Sequence, residues 1–446
     1  MHGPSGNDER TSRSDIAWIL AGRTWIHGRL EPVEIAIDDR GWIHSVGKVR
    51  SGAPRHDVGD SVILPAATDL HVHFRDPGGP KEAETLASGT GAAALGGVTL
   101  VGDMPNNPEP IDSPERLREK ARRVPGRAAV DVLLYASPTR APMVPRLARL
   151  AGGFKVYMSP TTGIPDVAEP AGVTETLTRL AEFDLPVSVH AEDPSRFRGG
   201  DAPQTPAEWN LHRPAEAEAR AIERLLSAPP RLRLHVAHVT TAKSVERLRS
   251  AGASFEVTPH HLLLSERSGT SPRFKVNPPL RSEEERRALW DAFRQGLIPC
   301  VASDHAPHSV ESKDVPFDRA PSGMPGVETM LPLLLAKVRA GELHLGALLA
   351  AACDRPARWL GQPLGRVAPG HRANLLIVDF TVHRPVSARI LSTACGWTAF
   401  EGWDAVFPRE HFRDGKRIVD AGELVGTPDG HVVRPEFAGP IGSPSA

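Results

Sequence analysis

Residues 61–73 read SVILPAATDLHVH, an apolar run that closes on two histidines one residue apart. A run without polar alternation reads as a strand buried on both faces, the kind found in parallel sheets covered by helices. The pattern recurs at 97–105 (GVTLVGDMP), 130–138 (VDVLLYASP), 153–158 (GFKVYM), 186–192 (PVSVHAE), 233–239 (RLHVAHV), 254–260 (SFEVTPH) and 298–308 (IPCVASDHAPH). Segments with a 3.6-residue period lie between, at 113–124 (SPERLREKARRV), 173–183 (VTETLTRLAEF), 215–228 (AEAEARAIERLLSA), 241–252 (TAKSVERLRSAG) and 282–296 (SEEERRALWDAFRQG). Eight strand-then-helix units predict an α/β fold, a closed (β/α)8 barrel, with an open doubly wound sheet as the alternative.

Working outward, the pattern shortens. AWILAGRTWI (17–26), VEIAIDD (33–39) and GWIHSVGKV (41–49) read as strands joined at Gly and Asp, and so do GRVAPGHRANLLIVDF (365–380) and HFRDGKRIVD (411–420). Both flanks together predict one small β-sandwich domain over 15–64 and 366–426, beside a barrel over 65–365. Residues 1–14 read as a disordered leader and 427–446 as an irregular tail.

The 446 residues suffice for one large and one small domain. With 53 basic and 54 acidic residues, nothing electrostatic calls for a nucleic-acid or membrane partner. Cys300, Cys353 and Cys395 are widely spaced, which suits a reducing compartment and argues against a disulfide scaffold or a thiolate metal site. No apolar run reaches a membrane span, and no signal-peptide pattern opens the chain, so the expectation is a cytoplasmic protein.

In a (β/α)8 barrel the chemistry gathers at the C-terminal strand ends. His71 and His73 end the first strand, Asn106 follows the second, Lys155 lies in the fourth, His190 ends the fifth, His238 the sixth and Asp304 the eighth. The two-residue step puts His71 and His73 on one strand face, where both could hold one cation; the plainer reading is a pair of core histidines. With His190, His238 and Asp304 at neighbouring strand ends, the metal reading prevails. Nitrogen and carboxylate ligands point to zinc, with manganese, cobalt or iron also compatible. Lys155 lies among apolar neighbours, where an ammonium loses its proton readily and the neutral amine can take up carbon dioxide as a bridging carbamate; alternatively it snorkels to the rim. Asp304 could hold metal, move the reaction's proton, or do both. Arg75 and His308 suit a substrate carboxylate, and Asn106 and Asn277 project from Pro-rich loops beside them. His260 and His261 are not needed to complete the set, and His212, His235 and His344 read as surface or core histidines.

Together, DLHVHFRDPG, GDMPNNP, VHAED, HVAHVTT, TPHHLLL, KVNPPLR and SDHAPH resemble the dihydroorotases of the amidohydrolase superfamily, over residues 64–360. The resemblance implies a metal-dependent cyclic amidohydrolase that reversibly opens L-dihydroorotate to N-carbamoyl-L-aspartate in pyrimidine biosynthesis. It implies two zinc ions, one on His71, His73 and Asp304, the other on His190 and His238, bridged by carboxylated Lys155. It places Arg75, Asn106 and His308 on the substrate carboxylate and Asn277 near the ring. Many longer bacterial members carry aspartate where Lys155 stands; the lysine and SGMPGVETMLPLLL (322–335) are more similar to the dihydroorotase domain of the animal multifunctional pyrimidine protein. That likeness suggests that the 159–165 loop, through Thr161 or Thr162, covers the substrate. Rival readings are an allantoinase or hydantoinase, whose neutral rings would need no carboxylate clamp, and a silent scaffold of aspartate transcarbamoylase, which would be expected to lose ligands. A homo-oligomer, or association of the active protein with aspartate transcarbamoylase, is compatible with the sequence.

Overall fold

The computed structural model describes residues 15–162, 170–229 and 231–436. The expected leader lies outside these residues, as do 163–165 of the loop above and 437–446 of the tail.

Eight parallel strands form the barrel: β1 (Ala67–Val72), β2 (Val98–Asp103), β3 (Asp131–Ala136), β4 (Gly153–Tyr157), β5 (Pro186–His190), β6 (Arg233–Val236), β7 (Ser254–Val257) and β8 (Cys300–Val301). They pair in sequence order. Most are buried end to end, as their apolar runs require. Closure falls between β1 and β8, where Val72 bridges His305 and the His73 amide donates to the His305 carbonyl at 2.7 Å. Asp69 Oδ1 accepts from the amides of His71 and Ser303, fastening the same seam. β8 is only two residues long, so the stretch carrying Asp304, His305 and His308 leaves the barrel at once and runs over its mouth.

The five periodic segments fold as helices Pro114–Arg122, Pro170–Leu180, Ala215–Leu225, Ala242–Ser250 and Glu283–Arg294. Their caps follow the sequence: Ser113, Thr241 and Ser282 accept from backbone amides three residues on. Glu283–Arg294 buries Leu289, Ala292 and Phe293 and starts on three glutamates, which suit the helix N-terminus.

The run 61–73 is not one strand. Residues Arg55–Pro65 belong to the flanking sheet, and β1 begins at Ala67. Pro65 has no amide to donate, so the ladder changes hands here: the Ala66 amide donates to Asn374, in the flanking sheet, and the Ala67 amide to Gly97, in the barrel.

The flanking domain is a single eight-stranded sheet, ordered Glu423–Leu424, Lys416–Asp420, Glu410–Arg413, Leu375–Val378, Arg55–Pro65, Ile16–Ile26, Arg29–Asp38 and Ile43–Gly47. One apolar cluster joins Ile37 and Ile43 with Leu375 and Phe412, with Trp18 against Phe412 at 5.1 Å, while Leu64, Leu376 and Val378 pack into the barrel core. The tail departs from expectation. Val432–Val433 lies parallel to β3 at Val132–Leu133, below the point where β4 begins to pair, and uses a stretch of strand edge that would otherwise be open.

Candidate functional site

The barrel mouth gathers the candidate ligands in two hydrogen-bonding groups set side by side. His71 Nε2 lies 3.2 Å from His73 Nε2 and 3.2 Å from Lys155 Nζ, while Asp304 Oδ1 lies 3.1 Å from His73 Nε2 and 3.4 Å from His71 Nε2. His190 Nδ1 and His238 Nε2 meet at 3.0 Å, and the rings of His71 and His238 are 5.3 Å apart. All six are buried. Lys155 and Tyr157 sit opposite Ser188 and His190 in the β4–β5 register, which aims Lys155 inward; its Nζ reaches Ser188 Oγ at 3.3 Å.

The outward nitrogens decide how these rings are protonated. His71 Nδ1–H donates to Glu256 Oε1 at 2.5 Å, His73 Nδ1–H to Asn106 Oδ1 at 2.5 Å, and His190 Nε2–H to Glu192 Oε2 at 2.8 Å. A carboxylate or amide oxygen only accepts, so the inner nitrogens carry lone pairs. Burial reinforces this, driving His73 down to about 3 and lowering His190 and His238. Lone pairs thus face lone pairs and the Asp304 carboxylate. Such an arrangement is repulsive by itself and favourable around a cation, so the donor set fits a metal.

The backbone is bent to this end. Arg75, His238 and Asp304 all have positive φ (56°, 37° and 45°), a region costing non-glycine residues about 1–3 kcal/mol each and met chiefly where function demands it. Arg75 is buried, and burial lowers it to about 10; its Nη1 donates to the Pro307 carbonyl at 2.6 Å, and its Nη2 lies 3.5 Å from His308 Nε2. His308 in turn donates to the Ser322 carbonyl at 3.0 Å, and Trp397 Nε1 fixes the His308 carbonyl at 2.7 Å. Next to it, Gly323 has φ +133°, and a Cβ there would lie 2.5 Å from the Ala306 carbonyl. Asn106 Nδ2 donates to the Thr162 carbonyl and Asn277 Nδ2 lies 3.3 Å from Thr161 Oγ1, so the loop after β4 rests on both asparagines. Asn106 therefore has a task beyond the one expected of it, holding His73.

Several residues of the site were not anticipated. Glu256 takes His71 on one oxygen and His235 on the other at 3.0 Å, and His235 is fixed by Ser254. Its signal was a lone acid in an apolar strand. Glu192 stands two residues after His190, and Arg213 pairs with it. Lys120 binds Asp103, Met104 O and Asn107 Oδ1, and so builds the loop that presents Asn106. Tyr157, on the Lys155 face, has a buried hydroxyl with no partner among the described residues. Of the discounted histidines, His261 binds Thr258 and the Pro278 carbonyl, His212 stacks on Trp209 and His344 is exposed, whereas His260 is buried with no partner for its Nε2 among the described residues.

A model of the Amidohydrolase family matches residues 62–402. Curated proteins named dihydroorotase are similar along most of the chain: one from Halobacterium salinarum is 37% identical over 88% of this chain and 94% of its own length. One from Methanosarcina acetivorans is 34% identical over 89% and 90%, and one from Shouchella clausii 35% over 81% and 88%. Among solved structures, the L-hydantoinase (dihydropyrimidinase) of Arthrobacter aurescens superposes with a TM-score of 0.86 at 26% identity, covering 94% of this chain and all of that one. With the parallel barrel, the sheet of the flanking domain and the clustered histidines already in place, these likenesses show that the chain belongs to the amidohydrolase family and, within it, to the dihydroorotases.

Proposed function

We propose that this protein is a dihydroorotase that reversibly hydrolyses L-dihydroorotate to N-carbamoyl-L-aspartate at a two-zinc site bridged by carboxylated Lys155. His71, His73 and Asp304 would hold one ion, His190 and His238 the other. When bound, the pair would lower the pKa of a water between them and polarise the ring carbonyl. Asp304 accepts the proton of the attacking water and passes it to the ring nitrogen as the carbon–nitrogen bond breaks. The outer partners of the histidines, Glu256, Asn106 and Glu192, keep the inner lone pairs aimed throughout. Arg75 and His308 bind the substrate carboxylate with Asn106 beside them, and Asn277 lies near the ring.

The observation that carries the substrate assignment is the Arg75–His308 pair at the mouth. Arg75 commits one terminal nitrogen to Pro307 and has no partner on Nε among the described residues, leaving a cationic edge for an anion. A neutral hydantoin ring has carbonyl oxygens but no carboxylate to pair with that edge. Three buried, unpaired cysteines support a reducing compartment such as the cytoplasm, and among the described residues no helix is long and apolar enough to cross a membrane.

The test is metal content and turnover on one preparation. About two zinc ions per chain with hydrolysis of L-dihydroorotate, but not of allantoin or hydantoin, is the expected result. Two ions with turnover of a neutral ring alone would move the substrate. Little metal and no turnover would favour a silent scaffold. Asp304→Asn should abolish turnover while the histidines retain metal; a variant that still turns over removes Asp304 from the proton path.

A further inference from the structure

Arg213 follows the helix Pro206–His212, outside the barrel strands, yet its guanidinium lies beneath the mouth and is buried. Its Nε and Nη2 grip the two oxygens of Glu192, Nε at 3.2 Å and Nη2 at 2.5 Å. The same Nη2 donates to Ser159 Oγ at 2.9 Å, and Nη1 donates to the Pro160 carbonyl at 3.3 Å. Phe197 covers the guanidinium at 4.4 Å, with Trp209 at 5.5 Å. The fork is therefore held in its plane as well as at its edges.

What it grips belongs to the ends of two neighbouring strands, β4 and β5. Glu192 Oε2, the oxygen nearest Arg213, also takes the Nε2–H of His190. Ser159 and Pro160 are the stem of the stretch that continues into Thr161 and Thr162, which meet Asn277 and Asn106. Trp209 Nε1, from the helix that delivers Arg213, reaches Asn277 Oδ1 at 3.1 Å. A structural ion pair would need one partner, whereas this guanidinium divides its donors between an acid that orients a histidine and a loop that walls the pocket.

We propose that Arg213 is a positioning residue that sets His190 and the 159–162 wall together, so that metal affinity and substrate affinity depend on one guanidinium. The inference rests on the reading of His190 as a metal ligand. Lysine offers a charge but no fork and no plane to stack, so Arg213→Lys should disturb both sides. Glu192→Gln keeps an acceptor for His190 and disturbs the metal side; Ser159→Ala weakens only the loop arm, removing its side-chain bond and leaving the one to the Pro160 carbonyl.

The experiment titrates zinc into metal-free protein against a chromophoric chelator and measures KM and kcat on dihydroorotate for the reloaded protein. Arg213→Lys should lower zinc affinity about 10- to 100-fold, the usual effect of losing a partner of a ligating histidine, and raise KM. Ser159→Ala should raise KM with zinc affinity unchanged, and Glu192→Gln should lower zinc affinity with KM little changed. If Arg213→Lys fails to fold, those two single-arm variants still carry the test, and either one leaving its own side unaffected overturns the coupling. Arg213→Lys with zinc affinity and KM both within twofold of the parent overturns it outright. A parent protein that binds no zinc removes the metal reading and this inference with it, whereas a zinc-binding parent with indifferent variants removes this inference alone.

Discussion

Lys155 offers the sharpest test of the chemistry. Carbamate formation consumes a neutral amine and carbon dioxide and releases a proton, so the relevant quantity is the neutral fraction of Lys155. Burial lowers its pKa from 10.5 to about 8; Glu256 and Asp304 pull it the other way, but neither pairs with it. At pH 7 a lysine at 10.5 is neutral about 0.03% of the time, and one at 8 about 10%, a gain of about 300-fold. The expected experiment strips the protein of metal and carbon dioxide, then follows recovery of activity on adding zinc at fixed dissolved carbon dioxide. The initial rate should be proportional to carbon dioxide, rise as pH rises through about 8, and level off above it, because the neutral form is the one populated above the pKa. Lys155→Gln should not recover under any of these conditions. Recovery indifferent to carbon dioxide would refute the carbamate, and a rate still climbing tenfold per pH unit toward 10 would refute the lowered lysine.

Two further outcomes follow from the geometry. Arg75→Met removes two donors available to a carboxylate, each charge-assisted bond contributing about 1.5–3 kcal/mol, so kcat/KM on dihydroorotate should fall about 100-fold or more with zinc content unchanged; an unaltered KM would count against the clamp. Lys120→Met strands the buried Asp103, which Lys120 meets at 2.9 Å, and chemical denaturation should show a loss of about 3–5 kcal/mol, a small change being the result that sinks this view.

Much of the barrel was legible because a parallel strand buried on both faces must be apolar throughout, and its outer helices must be amphipathic. That is why five helical segments and eight strands stand out in one dimension. The run 61–73 misled for the same reason: the flanking sheet and the barrel both want apolar strands, and only the partners of Ala66 and Ala67 reveal the break. The short strand at Val432–Val433 was hidden because two residues carry no periodicity, and an edge to pair with exists only once β3 is placed.

The site divides along a similar line. A residue that offers a lone pair or a charge to a small ion or molecule is restricted in type, so the proposed ligands His71, His73, Lys155, His190, His238 and Asp304 could be picked out by residue type and position at strand ends. By itself the sequence determined the strand period, the cap residues and this set of polar groups, because each depends on local backbone geometry or on side-chain chemistry. Only the tertiary structure decided that Glu256, Glu192 and Asn106 hold the outer nitrogens, that Lys120 and Trp397 brace the loops, and that Arg213 binds both Glu192 and the 159–160 stretch. Those tasks require nothing more than a hydrogen-bonding group at the right distance, and distance between residues remote in sequence is set by the fold.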